Sequence, residues 1–110
     1  MRRGYEPYIP DGRFELNDKL AAMMLDAPDF EDDSGFFPGK SMATQFFALN
    51  EGLSRIRADL GGQLYSQLSA MAAEMERLFR ADPADETGET QRGRELILEM
   101  MAMLEDDSAV

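Results

Sequence analysis

The sequence predicts an all-α fold of about four helices in a compact bundle, and three observations carry that expectation. Met42, Phe46, Leu49, Leu53, Ile56 and Leu60 recur at alternating spacings of four and three, which is the signature of a helix with one buried stripe. Leu64, Leu68, Met71, Met75 and Leu78 continue the same rhythm, and only Gly61-Gly62 marks the junction. Two long helices joined so tightly fold back on each other, so the second and third helices are predicted to form an antiparallel hairpin. A further apolar-rich stretch, about 90–105, follows a polar break at 82–88 and supplies the fourth helix.

The elements follow in order. Residues 1–13 hold Tyr5, Pro7, Tyr8, Pro10 and Gly12, a density of turn formers and helix breakers that predicts an extended arm. Asn17 is placed to cap a short first helix in which Leu16, Leu20, Met23 and Met24 share a face, and Ala27-Pro28 ends it. The stretch 26–40 then mixes Asp26, Asp29, Glu31, Asp32 and Asp33 with Phe30, Phe36 and Phe37 and shows neither a helical nor a strand period. It reads as an acidic and aromatic loop. Ser41 is the natural cap of the second helix, and Gly61-Gly62 closes it, because glycine accepts the left-handed conformation found at helix C-termini.

A chain of 110 residues is expected to form a single domain, 1–110. Its 22 Asp and Glu against 11 Lys and Arg give a formal charge of −11, a field that opposes binding to nucleic-acid phosphates or anionic lipid. Neither nucleic acid nor membrane is therefore an expected partner. The chain contains no Cys and no His, which removes disulfides, thiolate and imidazole metal sites and histidine proton transfer. No apolar run reaches the roughly 20 residues of a membrane span, and the N-terminal residues lack a signal peptide's apolar core. A cytoplasmic location is the expectation.

Several motifs resemble chemistry and fail on spacing. Gly35 to Ser41 ends in Gly-Lys-Ser before a helix, but three residues separate its glycines where a phosphate-binding loop needs four, and no strand precedes it. A calcium loop starting at Asp29 would need Gly at its sixth position and Glu at its twelfth, where Ser34 and Lys40 stand. Asp82, Asp85, Glu86 and Glu89 form a second acidic cluster that reads as solvated surface. A carboxylate-bridged di-iron centre relies on Glu-x-x-His pairs, and the chain has no His. No catalytic residue, no metal site and no cofactor is expected, and the protein is not expected to be an enzyme.

A binding surface remains. Asp29, Glu31, Asp32 and Asp33 offer negative charge for steering, and Phe36 and Phe37 directly after them offer rings that fill pockets. On a helical wheel Leu98 lies about 140° and Met101 about 80° from the centre of the fourth helix's apolar band, and Phe47 lies about 140° from the second helix's stripe. These three are covered by the chain itself or form a partner surface.

Phe36-Phe37-Pro38, then Leu49, Leu53 and Ile56 on a long helix, then a helix ending Leu78-Phe79-Arg80-Ala81-Asp82-Pro83, then a final helix, form a succession. Over residues 36–104 it resembles the small α-helical immunity proteins of type VI secretion effectors, in particular those that block NAD(P)-degrading effectors. The resemblance implies a cytoplasmic protein that occludes a toxin's active site and performs no chemistry of its own. The expected function is thus that of an immunity or antitoxin-type protein that neutralises a cognate toxin or effector with a basic binding face. The alternative is a self-associating helical scaffold or adaptor, a homodimer built on Leu98 and Met101. A third reading, an acidic mimic of nucleic acid, wants carboxylates spaced like phosphates along one face, whereas here they cluster in loops.

Overall fold

The computed structural model describes residues 8–28, 30 and 41–107. The fold is all-α, with helices α1 (Arg13–Asp26), α2 (Met42–Arg55), α3 (Arg57–Leu60), α4 (Gly62–Ala81) and α5 (Glu89–Asp107) in chain order. The five expected acidic and aromatic loop positions Glu31, Asp32, Asp33, Phe36 and Phe37, and Asp29 before them, lie outside the described residues.

Helix α1 corrects the first boundary. It begins at Arg13, one residue inside the predicted arm, and the Leu16 amide donates to the Gly12 carbonyl at 3.0 Å to close its first turn. Asn17 is therefore inside the helix and does not cap it; its side-chain oxygen is buried with no donor among the described residues. Tertiary contacts outweigh the local capping signal. Leu16 and Leu20 are fully buried, and Arg13 donates to the Leu104 carbonyl at 3.1 Å and to Asp59 at 2.9 Å, which pins the first turn to the rest of the bundle. The helix stops at Ala27, whose backbone is extended before Pro28.

Ser41 caps α2 as its residue type predicts. Its Oγ accepts from the Thr44 amide at 3.3 Å while the Thr44 hydroxyl accepts from the Ser41 amide at 2.9 Å, so two otherwise orphaned donors are satisfied reciprocally. The predicted second helix is two helices. It breaks at Ile56 and resumes as the single turn α3, raising the number of helices among the described residues to five. Gly61, at φ +86°, then closes α3 and starts α4.

Four helices form a ring in which α4 packs on α2 and α5, and α1 packs on α2 and α5; α2 and α5 are diagonal. Phe46 near the start of α2 meets Phe79 near the end of α4, with ring centroids 6.4 Å apart, so these two helices are antiparallel as predicted. Phe30 inserts its ring edge-on against both, at 5.8 and 5.3 Å. It does so from a left-handed backbone, φ 59°, which is costly for a bulky side chain and is offset by complete burial of the ring. Two glycines permit close approach. At Gly93 a Cβ would stand 2.6 Å from the Phe79 ring, and at Gly52 one would stand 3.1 Å from Pro10 and Leu16. Pro10 is thereby packed onto the last turn of α2, which ties down the described end of the arm.

Asp82 also departs from the sequence reading. It is buried, and its carboxylate accepts from the backbone amides of Thr90 at 3.0 Å, Glu86 at 2.8 Å and Thr87 at 3.2 Å. The Thr90 hydroxyl returns a bond to the Asp82 carbonyl at 2.7 Å. Asp82 is thus a cap for the first turn of α5, supplied from eight residues upstream. Of the cluster, Asp85, Glu86 and Glu89 do reach the surface.

Candidate partner-binding surface

Of the residues the sequence singles out for binding, three lie in the described part of the chain. Phe47 is 56% and Leu98 53% exposed, whereas Met101 is half-buried against the core. The described chain therefore leaves Phe47 and Leu98 largely uncovered.

Their positions on the ring differ. Arg94, Leu98, Met101 and Glu105 succeed one another at four, three and four residues and form one flank of α5. The Arg94 guanidinium donates to the Ala27 carbonyl at the end of α1, at 3.3 Å, while Arg13 at the start of α1 reaches the Leu104 carbonyl near the end of α5. Helices α1 and α5 are accordingly antiparallel, and the flank that carries Leu98 borders α1. Phe47 sits on the diagonal helix, on the side of α2 opposite its buried stripe. Leu98 and Met101 are brought together; Phe47 stands apart from them.

The largest exposed apolar groups on the helices are two that sequence reasoning missed. Phe14 is 79% and Leu25 87% exposed. They are eleven residues apart, about 20° on a helical wheel, and with Asp18 and Ala21 they form an outward stripe opposite the buried Leu16, Leu20 and Met23. Once the helix is known to start at Arg13 the spacing is plain. A helix capped at Asn17 leaves Phe14 outside it and hides the stripe.

The electrostatics around this stripe are one-sided. Arg13 pairs with Asp59 at 2.9 Å, Arg94 with Asp85 at 3.1 Å, and Lys19 donates to Gln45. Asp18 makes no ion pair or hydrogen bond among the described residues and is exposed. On the α2 side of α1 the Tyr8 hydroxyl and the Asp11 amide donate to Glu15 and hold its carboxyl below the usual carboxylate range. Arg13, Lys19 and Arg94 are turned toward the chain's own acceptors, and the stripe offers an apolar surface with negative charge in it.

A hollow of about 550 Å³ lies beside Arg55, Arg57 and Gly61, and another of about 450 Å³ lies between Met42, Phe79 and Pro83. No polar side chain lining either is buried. Among the described residues no three carboxylates gather in a group able to hold a metal, and no helix is long and apolar enough to cross a membrane. No protein-family model, curated protein or solved structure matches the chain.

Proposed function

We propose that the protein is an immunity or antitoxin-type inhibitor, which binds a cognate toxin or effector through a basic face of that partner, occludes its active site and does no chemistry itself. One observation carries the reading: large apolar side chains, Phe14, Leu25 and Leu98, stand exposed on neighbouring helices of a chain whose net charge is −11. Exposed apolar groups of this size on adjoining elements mark interaction sites, and surplus negative charge steers a basic partner and repels others. The sequence supports the non-catalytic part of the reading, since it lacks the Cys and His on which most nucleophilic and proton-transfer mechanisms depend. The resemblance of residues 36–104 to immunity proteins of type VI effectors, and with it a cytoplasmic site of action, belongs to the same proposal.

The test is co-expression with the product of the adjacent reading frame. The expected result is a complex stable through purification and growth of cells that the neighbour's product alone arrests. Absence of both removes the proposal. The competing reading, a self-associating scaffold, predicts a stable dimer of the isolated protein in sedimentation, abolished by Met101→Glu. The half-buried position of Met101 leaves that dimer Leu98, 53% exposed, as its more exposed anchor.

A further inference from the structure

We infer that the outer face of α1, with the Leu98 flank of α5 beside it, is the docking surface, and that its occupant is an amphipathic basic helix of another protein. The inference rests on the reading of the chain as a binding protein and adds which face binds and what chemistry it accepts. Phe14 and Leu25 lie on one line of α1 about 16 Å apart, three helical turns. An apolar line of that length fits a partner helix that presents anchors at similar spacing.

Charge selects the occupant. Asp18 interrupts the line between Phe14 and Ala21, exposed and without an ion pair among the described residues. A second copy of the chain is a poor fit in either orientation. If two α1 stripes pair antiparallel about a two-fold axis, Phe14 meets Leu25, Asp18 meets Ala21, and the two Asp18 residues are offset by only about 4.5 Å along the helix axes. If they pair in parallel, Asp18 meets Asp18. Both arrangements bury like charges without a counter-ion, a strongly unfavourable outcome. Arg13 and Arg94 beside the face are held by Asp59 and Asp85 and relieve this only by giving up those partners. A partner that brings Lys or Arg opposite Asp18 and apolar side chains opposite Phe14 and Leu25 satisfies both demands.

The chain contains no Trp, so a Trp-bearing probe reports on itself alone. The probe is a synthetic helical peptide with Leu at positions i, i+4, i+7 and i+11, Lys on the other face and one Trp; its control carries Glu in place of Lys. The Lys peptide is expected to bind, to perturb the amides of α1 and of the Leu98 flank in NMR spectra, and to lose about tenfold or more in affinity in the double variant Phe14→Ser with Leu25→Ser. Asp18→Lys is expected to weaken the Lys peptide, Phe47→Ser to leave it unchanged, and Asp18→Leu to turn a monomer into a dimer by sedimentation. Every substituted side chain is exposed, and circular dichroism checks that the helices persist. Perturbations centred on Phe47, or affinity unchanged in the double variant, overturn the inference. So does a wild-type dimer that dissociates on Phe14→Ser.

The inhibitor reading fails separately. If the neighbouring gene product binds and the double variant binds it equally well, the reading stands and this face is wrong. If the Lys peptide binds here and the neighbour's product does not bind at all, the face stands and the inhibitor reading falls.

Discussion

Gly93 has no space for a methyl group. A Cβ there would lie 2.6 and 2.7 Å from two carbons of the Phe79 ring, which is itself held by Phe30 and Phe46 and cannot retreat. Alanine favours a helix interior by about 1 kcal/mol over glycine, so helix propensity alone predicts that Gly93→Ala stabilises. Overpacking of a filled core costs roughly 1–3 kcal/mol and opposes that gain; with the Phe79 ring this close the cost wins, and the net effect expected is destabilisation, read as a lower urea midpoint. A second substitution, Phe79→Leu, should recover part of the loss. At Asp82 the backbone amides of Thr90, Glu86 and Thr87 hold the carboxyl at about 2, down from 3.8. A depressed value means that its stabilisation is fully present above pH 4 and is lost as the pH falls through 2. Asp82→Asn, which removes the charge at every pH, should therefore lower the thermal midpoint at pH 7. The gap between variant and wild type should narrow between pH 4 and pH 2.

Helices α2 and α4 were legible because their apolar spacing is uninterrupted, and α5 because its polar lead-in is distinct. The break at Ile56 was not, and the reason is physical: Leu53, Ile56 and Leu60 keep the helical rhythm and are all buried, so the side-chain pattern runs straight through a change in the backbone. The start of α1 was misplaced because Asn17 has the chemistry of a cap, while the contacts that set the true start, Arg13 with Asp59 and Leu104, join residues far apart in sequence. With that boundary went the Phe14 and Leu25 stripe, the part of the surface that sequence reasoning lacked. Phe47 and Leu98 were legible as off-stripe residues on a wheel, though not that α2 and α5 are diagonal. Asp82 looked like surface because its partners' backbone amides leave no trace in a list of side chains. Local chemistry was a reliable guide where it had no competitor, as at Ser41. Ser41→Ala removes one side of a reciprocal cap and should cost about 1 kcal/mol in equilibrium unfolding.

At the scale of the whole molecule the dominant quantity is the charge of −11. It sets how a partner arrives more than how tightly it stays, since steering acts over a distance that salt shortens. For the proposed complex, the association rate measured by stopped flow should fall about tenfold or more from low to high ionic strength, with a much smaller change in dissociation. An unchanged association rate would mean that the acidic surface has no part in the encounter. The ring of helices also has a closing contact, the hydrogen bond from Arg13 to the Leu104 carbonyl at 3.1 Å, which sets the first and last helices side by side. Chain order is thus a poor guide to proximity here, and the polypeptide can be rewired. A circular permutant that joins the end of α5 to the start of α1 through a flexible tether and opens instead at the exposed Gly61-Gly62 junction should assemble the same ring, with α4 as its first helix and α3 as its last.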